Sequence, residues 1–180
     1  MAPTEALDPH FRATLLAALS SILWADGVVD LGELEALRAA AEALGMPSAP
    51  SDLTATVLGG ALGVQAVSRV SLDRRERAVL YASAAWMALA DGPAGPREHE
   101  VERGAGATRP VQPELRALDE LKDALGLGRR GAERLSLLAS RVRAAARSAP
   151  SPREFEALVI GTLRLADEAE RDDETAAAAG

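Results

Sequence analysis

Residues 19–46 read LSSILWADGVVDLGELEALRAAAEALGM, and this stretch decides the fold. Its first part places apolar residues three and four positions apart and then reaches Asp26-Gly27, a helix-terminating turn. A second helical pattern begins near Asp30. It stops at Gly45-Met46-Pro47, because glycine favours the end of a helix and proline prevents its continuation. The stretch predicts a unit of helix, Asp-Gly turn and helix.

The same unit returns later in the chain, where residues 83–100 read SAAWMALADGPAGPREHE and residues 114–127 read ELRALDELKDALGL. Both copies contain an Ala-Asp-Gly turn, a glutamate that opens Glu-Leu-x-Ala-Leu, and a glycine 12 residues after that glutamate. These landmarks are Asp26-Gly27, Glu33 and Gly45 in the first copy, and Asp91-Gly92, Glu114 and Gly126 in the second. The second loop is 16 residues longer. Equal spacing to both landmarks indicates an internal repeat.

The whole pattern predicts an all-α protein, a single compact bundle of about seven helices with an internal pseudo-twofold repeat. The helix from Ser71 or Asp73 to about Ala90 is apolar almost all round, so we expect it at the centre. Residues 92–113 contain four glycines and four prolines and predict a long mobile loop. The expected boundaries are repeat one at about 10–46, repeat two at about 73–127, C-terminal helices at 128–171 within one domain of residues 1–171, and a disordered tail at 172–180.

Composition narrows the classes of function. The chain has no cysteine, which excludes disulfides, thiolate metal sites and cysteine nucleophiles. Its net charge of −7 argues against nucleic-acid binding. Six arginines that spread around one helix pattern predict a solvated surface: Arg129, Arg130, Arg134, Arg141, Arg143 and Arg147. The longest apolar stretch is too short to span a bilayer and the N-terminus has no secretory pattern, so we expect a cytoplasmic protein.

On these repeated Ala-Asp-Gly turns and following glutamates, the chain resembles the TerB-like (tellurite-resistance) family, whose relatives include the N-terminal domains of DnaJ-like membrane co-chaperones. The resemblance covers about residues 10–147. It implies an all-helical fold with two such helix pairs and a small acidic cluster that binds a divalent metal. It also implies action through protein partners in stress response or phage defence, in a membrane-associated complex without a membrane span of its own.

The metal hypothesis rests on the acidic residues at and after the two Asp-Gly turns. Asp26-Gly27 to Glu33 matches the second half of an EF-hand loop, but Ile22 and Trp24 occupy two positions where calcium needs oxygen ligands. An ordinary EF-hand is therefore excluded, and a looser site for calcium, magnesium or manganese remains. Its candidate ligands are Asp26, Asp30, Glu33, Asp91, Glu98 and Glu114. The alternative is that these residues only cap helices, as Asp30 and Glu33 would in a capping box.

Three functions are compatible with these patterns. The first is a non-enzymatic protein-interaction module, and the second is a structural component that assembles into homo-oligomers. The third is an enzyme on an alkylhydroperoxidase-like helical fold, which the absence of a Cys-x-x-Cys pair disfavours. Trp24 and Trp86 precede the two Asp-Gly turns, and we expect them to be core anchors. His99 lies within the long loop, where it lacks the rigid support that a catalytic or metal-binding group needs.

Overall fold

A computed structural model describes residues 7–23, 31–47, 71–89, 113–146 and 149–178. These ranges hold six helices and no strand, which confirms the all-α prediction for this part of the chain. The helices are α1 (Pro9–Leu23), α2 (Leu31–Ala43), α3 (Arg74–Met87), α4 (Pro113–Ala124), α5 (Arg129–Ala145) and α6 (Pro152–Ala178). Both Asp-Gly turns, Trp24, and the predicted loop at 92–112 lie outside the described residues.

Helix α3 is the centre of the bundle, as its all-round apolar pattern predicts. Every residue from Ala78 to Met87 is buried, and α3 packs against each of the other five helices. Its start is set by Asp73, whose carboxylate accepts from the backbone N–H of Glu76 while Glu76 accepts from the N–H of Asp73. This reciprocal capping box fixes the first turn of the most buried element.

Helices α2 and α4 end in the same way. Gly45 and Gly126 have φ angles of 65° and 64°, the left-handed region that glycine adopts without steric cost. Met46 N–H donates to the Ala41 carbonyl at 2.9 Å, and Leu127 N–H donates to the Lys122 carbonyl at 3.0 Å. Each end is therefore a Schellman motif, as the sequence Ala-Leu-Gly followed by an apolar residue predicts.

An arginine from the preceding helix holds each of these ends. Arg12 of α1 donates from Nη1 to the Leu44 carbonyl at 3.3 Å, and Arg77 of α3 donates from Nη1 to the Leu125 carbonyl at 3.5 Å. Both carbonyls belong to the last turn of a helix, where carbonyls lack intrahelical partners. The arginines therefore join α1 to α2 and α3 to α4 through matching contacts.

Ser151-Pro152 followed by Glu154 predicts a capping box at the start of the last helix, α6, and the structure differs from the prediction for this helix at two points. Ser151 Oγ accepts from the Glu154 N–H at 3.3 Å, which is half of the expected capping box. The Glu154 carboxylate points elsewhere, because its Oε1 accepts a 2.6 Å hydrogen bond from Trp86 Nε1. At its other end α6 continues to Ala178, beyond the predicted end at Arg171, so residues 172–178 belong to a helix rather than to a disordered tail. Alanine is the strongest helix former, and residues 176–178 are alanines.

The hydrophobic core joins all the described helices around Trp86. Trp86 is fully buried and meets Phe155 edge-on, with ring centroids 5.4 Å apart, which confirms its predicted role as a core anchor. Much of the remaining core consists of alanine and leucine, whose small faces let the helices approach closely. Within the described ranges, none of the helices combines the length and apolarity that crossing a membrane requires.

Candidate functional site

Among the six predicted metal ligands, Glu33 alone has a side chain that the structure describes. Asp26, Asp30, Asp91 and Glu98 lie outside the described residues, and Glu114 is described only as a position in the first turn of α4. Glu33 lies in the first turn of α2 and is 4% exposed. A carboxylate at this end is stabilised by the helix dipole, which fits the capping interpretation as well as the metal interpretation. In the described ranges, histidines and carboxylates form no group of three that would hold a metal ion.

A pocket of about 460 Å³ lies between the start of α3, the turn from α4 to α5, and the C-terminal half of α6. Its volume falls within the range of about 300–1,000 Å³ that is usual for small-molecule sites. Twelve residues line it: Arg74, Arg77, Ala78, Gly126, Leu127, Gly128, Gly131, Arg134, Leu135, Leu165, Ala166 and Ala169.

The charge of this pocket is positive. Arg74, Arg77 and Arg134 are the charged members of its lining, and the other members are glycine, alanine and leucine. Arg77 donates from Nε to the Asp73 carbonyl at 3.3 Å and from Nη1 to the Leu125 carbonyl. Carbonyl partners hold the guanidinium in place without neutralising its charge. Two of its five N–H donors make these bonds, and the Nη2 group donates to no other group among the described residues.

Arg134 forms a weak ion pair at the edge of the same pocket. Its Nη2 lies 3.7 Å from Glu168 Oε2, and both side chains are about half exposed, at 53% and 54%. Exposed pairs of this length contribute at most about 1 kcal/mol. An anion that enters the pocket can therefore replace Glu168 as the partner of Arg134 at little cost.

The start of α5 adds backbone donors to the arginines. The first turn of an α-helix has N–H groups without intrahelical partners, and a side chain at the N-cap usually accepts from one of them. The N-cap of α5 is Gly128, which supplies no such bond, and the first turn of α5 carries no acidic residue. A Cβ atom built on Gly126, Gly128 or Gly131 would meet nothing within 4 Å. These glycines therefore leave open space in front of a helix end that attracts anions.

The chemistry available in the pocket is binding rather than proton transfer. Arginine stays protonated at all physiological pH values, and glycine, alanine and leucine have no titratable group. The described lining can therefore hold and orient an anion, and Leu127, Leu135 and Leu165 offer apolar contacts in the same pocket. It supplies neither a general base nor a nucleophile of the kinds that enzymes use.

Sequence reasoning missed this pocket because it treated the arginines of α5 as one solvated set. That prediction is right for Arg129, Arg130 and Arg141, which are exposed, and Arg147 lies outside the described residues. It is incomplete for Arg134, which lines the pocket, and wrong for Arg143, whose side chain is 16% exposed and lies 3.6 Å from Glu154. The sequence pattern that could have indicated the pocket is Gly126-Leu127-Gly128-Arg129-Arg130-Gly131, in which glycines and arginines lie at the start of a helix. It follows a helix rather than a strand, so it is not a dinucleotide-binding motif.

Comparison of the chain with protein families, with curated proteins and with solved structures gave no match. The TerB-like resemblance therefore stays a prediction.

Proposed function

We propose that this chain is a non-enzymatic binding module of the TerB-like kind, which recognises an anionic group at the pocket lined by Arg74, Arg77 and Arg134. The observation that carries the proposal is the lining itself: three arginines and an uncapped helix start face one cavity, and no acidic residue belongs to its described walls. The resemblance adds the expected setting, which is action with protein partners in stress response or phage defence.

The internal repeat is part of the same proposal, and local contacts support it. Asp8 and Asp73 both cap helix starts, and four positions further on Arg12 and Arg77 each hold the end of the next helix. Both pairs are 65 positions apart, as are Asp26 and Asp91. The closing glycines Gly45 and Gly126 are 81 positions apart, which is the same offset plus the 16 extra residues of the second loop. The pocket then lies at the end of the second copy.

Inorganic phosphate is the simplest probe of the proposal. In a titration at constant ionic strength, followed by two-dimensional NMR of the backbone amides, we expect saturable shifts at residues 126–131. Arg134→Gln should weaken the binding, while Arg141→Gln, an exposed arginine on the same helix, serves as the matched control. Phosphate that shifts no amide in this segment, or shifts that Arg134→Gln leaves unchanged, would contradict the proposed site.

A divalent metal at the Asp-Gly turns remains a second proposal, and the buried position of Glu33 in the first turn of α2 is compatible both with it and with capping alone. A buried carboxylate is retained when a cation or hydrogen-bond donors compensate its charge. Calorimetry of chelator-treated protein with calcium and with manganese tests this directly. Binding heat that disappears in a variant with Asp26→Asn and Glu33→Gln supports the metal. The absence of heat at millimolar metal leaves Glu33 with a capping role.

Two exposed leucines of α2 support the part of the proposal that concerns contacts with other proteins. Leu31 is 79% exposed and Leu34 is 37% exposed, and residues three positions apart share one helix face. Light scattering separates the alternatives, because homo-oligomeric assembly predicts a mass that falls when Leu31→Ser and Leu34→Ser are introduced. Leu137→Ser, at an exposed leucine of α5, is the control. A monomeric wild-type chain would contradict the assembly alternative.

A further inference from the structure

We infer that the ligand of the arginine pocket is a small amphipathic organic anion, a phosphate monoester or carboxylate joined to an apolar body. The inference rests on the proposed function and narrows its anionic group to a chemical class. It follows from the way in which charged and apolar residues divide the walls of the cavity.

The charged residues of the lining come from α3 and α5, and α6 adds no charged residue to it. The arginines project from the first turn of α3 and from α5, and Gly128 and Gly131 flank the uncapped start of α5. Helix α6 contributes only apolar residues, Leu165, Ala166 and Ala169, and Leu127 and Leu135 enlarge the apolar part of the lining. An inorganic ion would use the charged part and leave the apolar part in contact with water. A ligand with an anionic head and an apolar body satisfies both parts.

The net charge of the protein favours a free molecule over a lipid headgroup in a bilayer. A chain with a net charge of −7 is repelled by an anionic membrane surface, unless a large basic face opposes that repulsion. Here Asp167 and Glu168 lie at the α6 side of the pocket, where they pair with Arg75 and Arg134. The three arginines of the pocket line a cavity, which a single small anion can enter and a flat anionic surface cannot.

The experiment compares compounds that carry an anionic group, an alkyl chain or both. Calorimetry on the full chain uses octyl phosphate, octanoate, inorganic phosphate, octyltrimethylammonium, a hexaglutamate peptide and phosphatidic acid vesicles. Octyl phosphate or octanoate should bind at least about tenfold more tightly than inorganic phosphate, because the alkyl chain becomes buried against the leucines. Octyltrimethylammonium, which has the same tail and the opposite charge, should not bind.

Substitutions at Gly128 test the location without removing an arginine. Gly128 has an extended backbone (φ −65°, ψ 150°), which an N-capping aspartate adopts, and its Cβ would meet open space. Gly128→Asp should therefore cap α5 and preserve or raise the melting temperature, while its carboxylate repels the ligand and lowers affinity at least about tenfold. Gly128→Ser caps without a charge and should keep measurable binding. Arg141→Gln should bind as the wild type does.

The outcomes separate this inference from the proposed function. Equal affinity for inorganic and octyl phosphate, or preference for the glutamate peptide or the vesicles, overturns the amphipathic ligand but leaves an anion site. Binding of octyl phosphate that Gly128→Asp does not weaken overturns the location. If none of the anions binds, both the inference and the proposed function are wrong.

Discussion

Replacing Trp86 by phenylalanine tests whether a buried hydrogen bond joins three helices of this bundle. Trp86 of α3 is fully buried and donates from Nε1 to Glu154 Oε1 of α6 at 2.6 Å. Arg143 of α5 approaches the same oxygen at 3.6 Å, while the second oxygen, Oε2, is buried without a hydrogen bond among the described residues. The carboxylate therefore depends on Trp86 for its one short hydrogen bond.

The expected change in the free energy of unfolding depends on the groups that Trp86→Phe removes. A hydrogen bond to a charged group contributes about 1.5–3 kcal/mol, and its loss leaves the Glu154 carboxylate less well compensated in the core. The smaller phenylalanine ring also leaves a cavity, which adds about 1 kcal/mol. We expect a total loss of about 2.5–4 kcal/mol in the free energy of unfolding. For a chain of this size that lowers the melting temperature by roughly 10 °C.

A double-mutant cycle separates the hydrogen bond from the cavity. Urea unfolding of the wild type, Trp86→Phe, Glu154→Met and the double variant gives the coupling free energy between the two side chains. We expect about 2 kcal/mol, because each single variant leaves either the indole N–H or the carboxylate without the other, and the double variant removes both groups. If the two single losses add to within about 0.5 kcal/mol, the hydrogen bond contributes nothing to stability and the reasoning is wrong.

Three further changes test other parts of the structure. Gly131→Ala should raise the free energy of unfolding by about 0.5–1 kcal/mol because its Cβ meets open space. Gly161→Ala should raise it by less, since its Cβ would lie 3.1 Å from Leu138 Cδ1. Equal increases for the two variants in urea unfolding would contradict this packing. Thr162→Val should stabilise by about 1 kcal/mol because the buried Thr162 hydroxyl has no hydrogen bond among the described residues; Thr14→Val, which loses a bond to the His10 carbonyl, is the control and should not gain. The hydrogen bond to Asp119 raises the pKa of Lys122 above its ordinary value of 10.5, so Asp119→Asn should lower the pKa of Lys122 Nζ, which NMR measures. Because the pKa of Lys122 is higher in the folded state, the stability that its charged form contributes is complete below pH 10.5 and is lost as the pH rises through the folded pKa.

Features that depend on a few neighbouring residues were predictable from the sequence. Asp8 and Asp73 cap α1 and α3, and Gly45 and Gly126 end α2 and α4, at the positions that their residue types indicate. Each of these signals acts over at most about five positions, so one short window contains all of it.

Features that join distant segments were not predictable in the same way. Glu154 was expected to bond to its own helix start, yet its partner Trp86 lies 68 residues away. The pocket takes residues from three separate segments, and each segment by itself has an ordinary pattern: arginines at helix starts, a glycine turn, and alanines on α6. Long-range packing decides which of these ordinary residues face one another, and hydrophobic periodicity carries no information about it.

The two copies of the proposed repeat differ at the point where the pocket forms. In the first copy, a Cβ on Gly45 would meet Arg12 Nη1 at 3.9 Å, so the arginine closes over the turn. In the second copy, a Cβ on Gly126 meets nothing within 4 Å, although Arg77 makes the matching carbonyl bond. After Gly45 the chain continues into Met46-Pro47, whereas after Gly126 it continues through Leu127-Gly128 directly into α5. That helix brings Arg134 and its own uncapped start to the space beside Arg77. If the proposed repeat and the proposed anion site are both right, the same arginine–carbonyl contact serves a structural role in the first copy and lines a ligand site in the second, and the helix that follows accounts for the difference.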